Sequence, residues 1–103
     1  MTHNLKTWSQ FFAPLFAGEK RFEVRLNDRG FRVGDTLRLR EWDKETGYTG
    51  RELSMDVTYL LWGFPGVVPG YVCMSLVPSN AHPHGRAPAR TVQGVVGSLD
   101  GDK

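Results

Sequence analysis

The sequence has one cysteine, Cys73, and no long apolar run. A lone cysteine forms no intramolecular disulfide. No stretch approaches the roughly 20 apolar residues of a membrane span, and the start M-T-H-N-L-K lacks the apolar core of a signal peptide. Phosphate-binding and dinucleotide-binding glycine motifs are missing as well. These absences predict a soluble cytoplasmic protein with no membrane partner and no cofactor.

The sequence also lacks a large excess of either positive or negative charge. The 103 residues carry 13 Lys and Arg against 11 Asp and Glu, a net charge of +2. An electrostatic argument for nucleic acid therefore depends on where the charges cluster. The 40% hydrophobic and 12% aromatic content excludes wholesale disorder. We expect one domain over residues 1–77 and a flexible tail over residues 78–103, where no apolar period continues.

One short helix is predicted near the start, after a brief lead over residues 1–6. Thr7-Trp8-Ser9-Gln10 fits a capping box, with Thr7 as the N-cap. Gly18 stands where a left-handed C-cap glycine is common. Pro14 disfavours a helix that begins at Thr7, and a start at Ser9 instead reduces the conflict because it brings Pro14 nearer the first turn. Four apolar residues recur at helical spacing, namely Phe11, Phe12, Leu15 and Phe16.

The rest of the domain alternates with a period of two and predicts strands. Turn-forming residues 43–47 indicate a hairpin between two of them. In the long run over residues 52–62, the expected inward positions are Leu53, Met55, Val57, Tyr59 and Leu61. We predict strands over residues 20–27, 36–42, 52–62 and 71–77. The fold class is α+β, a small mixed β-barrel with the helix packed at one end.

The strand over residues 20–27 carries the most information. Its apolar residues Phe22, Val24 and Leu26 share one face, which we expect to be buried. The opposite face carries Arg21, Glu23, Arg25 and Asn27, with Lys20 at the entrance to the strand. That polar face is either a solvated, salt-bridged surface or the floor of a cleft. The alternation alone favours solvent.

The segment Gly18 to Arg25, G-E-K-R-F-E-V-R, matches the signature G-x-K-x-x-E-x-R of the ASCH domain. Further segments over residues 27–43, 46–53 and 70–76 resemble a small bacterial and phage branch of unknown function, the DUF3850-type domains. This resemblance covers residues 3–77 and implies a PUA-like β-barrel. It also implies that the charged face lies in a cleft.

The resemblance implies RNA binding in that cleft. Some members of the superfamily are enzymes that deacylate an acetylated cytidine nucleoside or cut RNA, and the deacylating ones carry Thr where this chain has Glu23. A carboxylate between Lys20 and Arg25 keeps its charged form. Such a group suits a hydrogen-bond acceptor for a base or sugar better than a general base.

The predicted partner is therefore RNA or a nucleotide-like ligand, bound by a monomer. The predicted ligand-binding residues are Lys20, Glu23, Arg25, Asn27, Arg38, Arg40 and Trp42. The last three share a face of one strand and combine phosphate-binding and stacking groups. Two alternatives remain open: a hydrolase of modified nucleosides or RNA that uses Lys20 and Glu23, and a protein-interaction or phage accessory module. No metal site is predicted, because His82 and His84 lack further ligands.

Overall fold

The computed structural model describes residues 1–79, which form a curled five-stranded sheet and a short helix. The strands are β1 (Thr2–Trp8), β2 (Phe22–Leu26), β3 (Thr36–Asp43), β4 (Gly47–Leu61) and β5 (Tyr71–Pro78). The helix α1 spans Ser9–Phe16. Nearly all of the predicted tail, with His82 and His84, lies outside the described residues.

The strand order is β1-β3-β4-β5-β2, so β1 and β2 are the two edges of the sheet. The β1–β3 pair is parallel and the other pairs are antiparallel. The sheet curls until its edges face each other. Arg25 Nη2 donates to the carbonyl of Lys6 at 2.9 Å, and Arg29 Nη1 donates to that of Asn4 at 3.0 Å. The architecture is a mostly β half-barrel whose open seam is bridged by arginine side chains.

The core fills the concave side of the half-barrel. Residues from all strands except β2 contribute apolar side chains to it, and α1 contributes Phe12 and Leu15. Leu37, Leu39, Val72 and Met74 have no exposed surface. Burying each side chain of this size stabilises the fold by about 1.5–3 kcal/mol before entropic costs. The core therefore holds the sheet in its curled form and fixes the distance between the two edges.

The N-terminal region differs from the prediction. Residues 2–8 form β1 rather than a lead, because they pair with all of residues 36–42. Thr7 lies buried in this strand and does not cap α1; the N-cap is Trp8, which makes no side-chain capping bond. The helix end is confirmed, since Gly18 follows it with a φ of +83° that side chains rarely adopt.

The hairpin between β3 and β4 is confirmed by the pairing of Asp43 with Gly47. The predicted alternation of inward and outward residues is wrong in the second half of β4. A bulge between Val57 and Tyr59 shifts the register against β5. Leu60 is buried there, while Tyr59 and Leu61 are only half-buried.

The predicted orientation of β2 is wrong. Phe22, Val24 and Leu26 point outward and are 47%, 52% and 49% exposed, whereas Glu23 is buried. The register explains this, since Glu23 pairs with Met74 and residues directly opposite share a face of the sheet. Met74 belongs to the core, so the polar face of β2 is its inner face. The charged residues thus line the inside of the seam.

Candidate functional site

An open cleft of ≈ 590 Å³ lies where the two sheet edges face each other. Both edges line it, together with the first turn of α1 and the loop that leads into β2. The lining residues are Lys6, Thr7, Trp8, Phe11, Lys20, Phe22, Glu23, Val24, Arg25 and Arg29. Four are cations and one is a carboxylate, which makes the cleft attractive to anionic ligands.

Glu23 is the centre of the cleft. Lys20 Nζ donates to Glu23 Oε1 at 2.9 Å, and Arg25 Nε donates to Glu23 Oε2 at 2.7 Å. The carboxylate is only 5% exposed. The two cations compensate for its burial, as a buried charge requires. The three predicted residues therefore converge, and they do so on the concave side of the sheet.

The two cations differ in what else they touch. Arg25 extends across the seam to the carbonyl of Lys6 and to Thr7 Oγ1, at 2.9 and 3.4 Å. Lys20 Nζ lies 4.9 Å from the ring centre of Phe22 and 5.7 Å from that of Phe11. Arg25 thus ties the edges together, while Lys20 is held between two aromatic rings.

The rim of the cleft is aromatic and open. Trp8, Phe11 and Phe22 are each 43–47% exposed. They belong to β1, α1 and β2, so they surround the charged centre on different sides. Exposed aromatic rings beside cations are typical of surfaces on which nucleic-acid bases stack.

Residues 2–76 match the protein family described as "Domain of unknown function (DUF3850)". The chain belongs to this family. It is also 38% identical over 56 residues to the uncharacterized 12.9 kDa protein in the GpA 3′ region of Escherichia phage P2. That match covers 54% of this chain and 50% of the phage protein, so the aligned part spans about half of the relative's length.

The DUF3850 domain does not bring all predicted ligand residues into the cleft. Asn27 lies beyond it, and its Oδ1 accepts from the backbone N–H of Phe31 at 2.9 Å. Arg38, Arg40 and Trp42 lie on the outer face of β3. Arg38 donates twice to Glu52, at 2.9 and 2.8 Å. Trp42 comes nearest to the cleft, because its ring centre is 5.1 Å from that of Trp8.

Several lining residues of the DUF3850 domain escaped the sequence analysis. Lys6, Thr7 and Trp8 belong to β1, which was not predicted because Leu5 is its only aliphatic residue. Arg29 was not among the predicted ligand-binding residues. In the structure, buried and exposed positions alternate along T-H-N-L-K-T-W, and His3, Leu5 and Thr7 are on the inner face. Two of these three inner residues are polar, so the sequence showed this alternation only weakly.

A second depression of ≈ 730 Å³ lies at the loop between β4 and β5. It is lined by Asn27 and by loop residues from Trp62 to Tyr71, and among the described residues none of these carries a charge. Of these two depressions, the cleft at the seam is the one lined by charged side chains.

Two other side chains with reactive groups, Cys73 and His3, lie outside the lining of the cleft. Burial raises the pKa of the Cys73 thiol, an effect that the charge of Lys20 only partly opposes, so the thiolate is disfavoured. His3 is buried and its Nε2 lies 2.8 Å from Asp35 Oδ2. Within residues 1–79, no three His, Cys, Asp or Glu are placed to hold a metal ion, and no helix is long and apolar enough to cross a membrane.

Proposed function

We propose that this chain is an ASCH-type, PUA-like domain that binds RNA or a nucleotide in the seam cleft. The observation that carries the proposal is the convergence of Lys20 and Arg25 on the buried Glu23 within an aromatic rim. The G-x-K-x-x-E-x-R segment supports it, since those three residues are the ones that the ASCH signature names.

Glu23 acts in this proposal as the acceptor for a base amino group or a ribose hydroxyl. A carboxylate offers about four lone-pair positions, and the two cations use one on each oxygen. The remaining acceptor capacity faces the cleft. Lys20 and Arg25 hold the carboxylate in place.

In this proposal, the more exposed cations of the cleft contact the phosphates. The side chains of Lys20 and Arg25 are 17% and 25% exposed, and both already pair with Glu23. The Arg29 side chain is 44% exposed, and Lys6 is exposed as well. Cations that water reaches bind phosphate by releasing counterions, so RNA affinity should fall as salt rises.

Fluorescence anisotropy with a labelled single-stranded RNA hexamer at low salt tests the proposal. We expect micromolar binding that the double variant Lys20→Ala with Arg25→Ala abolishes. The matched control is Arg32→Ala with Lys44→Ala, which removes the same two charge types from exposed positions outside the cleft. Equal loss in both variants, or no binding at tens of micromolar protein, refutes the cleft as the RNA site.

Hydrolysis is the main competing outcome of the same experiment. Position 23 has no hydroxyl, and the Thr7 hydroxyl in the cleft is 2% exposed and directed toward the carbonyl of Leu5. We therefore expect N4-acetylcytidine and short RNAs to survive hours with excess protein. Turnover that disappears in the Lys20→Ala variant would replace the binding proposal with an enzymatic one.

A further inference from the structure

A row of aromatic side chains crosses the outer face of the sheet, starting at the rim of the cleft. Trp8 on β1 is in register with Trp42 on β3, and Trp42 is in register with Tyr48 on β4. Neighbouring strands lie about 4.8 Å apart, so the row presents one ring on each of three adjacent strands. Trp8 and Tyr48 are 43% and 49% exposed. We call these three residues the aromatic track.

Two cations accompany the aromatic track. Lys6 Nζ lies 4.2 Å from the ring centre of Trp42, and Arg40 Cζ lies 4.1 Å from that of Tyr48. Lys6 also lines the cleft, so one cation serves both the cleft and the beginning of the track. Aromatic rings and cations that alternate along one surface are what a single nucleic-acid strand needs for its bases and phosphates.

The acidic residue beside the track is already neutralised. Glu52 receives two charge-assisted hydrogen bonds from Arg38. Arg40 Nε stands 3.5 Å from Glu52 Oε2 without the alignment of a hydrogen bond. Arg38 therefore supplies the hydrogen bonds to the carboxylate, while Arg40 forms a longer ion pair with it that a phosphate on the track would replace.

We propose that the ligand is a single-stranded RNA of at least three nucleotides, which places one base in the cleft and the next bases on Trp42 and Tyr48. This inference rests on the proposed function of the cleft. Cation–π contacts at exposed sites are weak. An arriving base therefore displaces Lys6 and Arg40 from the ring faces, and both cations move to the neighbouring phosphates. Because every base can stack, the track itself is tolerant of sequence.

The length of the RNA is the variable that tests the track. Uridine 5′-monophosphate and oligouridylates of two, four and six nucleotides are titrated in competition with a labelled hexamer. Each base that stacks on the track should raise the affinity by about 5-fold to 150-fold. We expect the gain to stop once three or four nucleotides are present, because the cleft and the track are then full.

Tyr48→Ala removes the last ring of the track at an exposed hairpin position. It should weaken binding of the hexamer by about tenfold and leave the monophosphate unaffected. Tyr71→Ala is the matched control, because Tyr71 is 39% exposed on β5, away from the track. Circular dichroism of both variants separates a lost contact from a lost fold.

The outcomes distinguish the track from the cleft. An affinity that is flat from monophosphate to hexamer overturns the track, as does an equal loss in Tyr48→Ala and Tyr71→Ala. Hexamer binding that needs Tyr48 but tolerates the loss of Lys20 and Arg25 retains the track and overturns the cleft.

Discussion

Two glutamates with nearly the same burial, Glu23 and Glu41, occupy very different surroundings. They are 5% and 6% exposed, and both accept hydrogen bonds from basic side chains. Glu41 lies on the inner face of β3, where Arg51 and Thr49 donate to its Oε1 at 2.9 and 2.8 Å. A further bond from Arg51 reaches its Oε2 at 3.3 Å.

The surroundings of Glu41 are structural. The guanidinium of Arg51 lies 5.2 Å from the ring centre of Phe12 and 5.0 Å from that of Phe16, so it connects α1 to the hairpin arm. Hydrogen bonds from Arg51 and Thr49, which outweigh burial, lower the pKa of Glu41 to about 2. Three donated bonds leave little acceptor capacity for a ligand.

Among the described residues 1–79, Glu23 has two hydrogen-bond partners, one on each carboxylate oxygen, and it lines an open cleft. The difference teaches that burial of a charged residue does not by itself mark a functional site. The unused acceptor capacity and the position in the lining of a cleft separate the proposed ligand site from the structural clamp. Four predictions test this distinction.

Glu23→Ala should have the largest effect on stability. It leaves two cations that are 17% and 25% exposed and were both compensated by the same carboxylate. Removing one partner of a buried ion pair costs about 3–5 kcal/mol, and we expect a loss near the lower end because the cleft admits water. Urea denaturation measures the free energy of unfolding. Glu45→Ala in the exposed hairpin turn is the control, and a loss below about 1 kcal/mol in Glu23→Ala would contradict the ion-pair account.

Glu41→Ala should cost less stability, about 1.5–2 kcal/mol. Within residues 1–79 its cationic partner is Arg51, whose side chain is 51% exposed and regains water when the carboxylate is removed. The RNA affinity of this variant should equal that of the unaltered protein, because Glu41 does not line the cleft. Anisotropy titration of the folded variant checks this point. A Glu41→Ala protein that is folded but does not bind RNA would remove the distinction between the two glutamates.

The pH dependence of stability should report on Glu41. Its pKa in the folded protein is about 2, below the ordinary value of 4.5, so ionised Glu41 stabilises the fold. This contribution is complete above the unfolded value and is lost as pH falls from about 5 toward about 2. The free-energy difference between the unaltered protein and Glu41→Gln should therefore shrink over that range. A difference that stays constant with pH would show that charge does not carry the stabilisation.

The sequence predicted the hairpin, β5 and the end of α1, because each has a strong local signal such as the turn residues 43–47 or Gly18. It also singled out Lys20, Glu23 and Arg25. It missed β1, since the pairing with β3 is parallel and joins segments that lie more than 30 residues apart. Local alternation does not reveal such a partner.

The orientation of β2 could not be read from alternation for a different reason. A period of two shows that the faces differ but does not show which face is inside. In this half-barrel the inner face of the edge strand meets an open seam, where mutually compensating charges replace apolar contacts. Phe22, Val24 and Leu26 are left half-exposed as a result. Only the register with Met74 on β5 decides the question.

Arg29→Ala should have the smallest effect on stability. Its effect on RNA binding should nevertheless distinguish the cleft around Glu23 from the surroundings of Glu41. Arg29 donates one bond to the carbonyl of Asn4 across the seam, and its side chain is 44% exposed. Losing a bond of this kind costs about 0.5–1 kcal/mol. If Arg29 contacts phosphate, RNA affinity should fall and the slope of log affinity against log salt should become shallower by about 0.7.

Arg51→Ala provides the comparison at the other glutamate. Arg51 is also an exposed arginine, but it pairs with the buried, structural Glu41. It should lose more stability than Arg29→Ala and keep the full salt slope. If both variants changed the slope equally, the positive charge of the whole domain would govern RNA binding. A change confined to Arg29→Ala assigns the phosphate contact to the seam, because Arg29 lines the cleft and Arg51 does not.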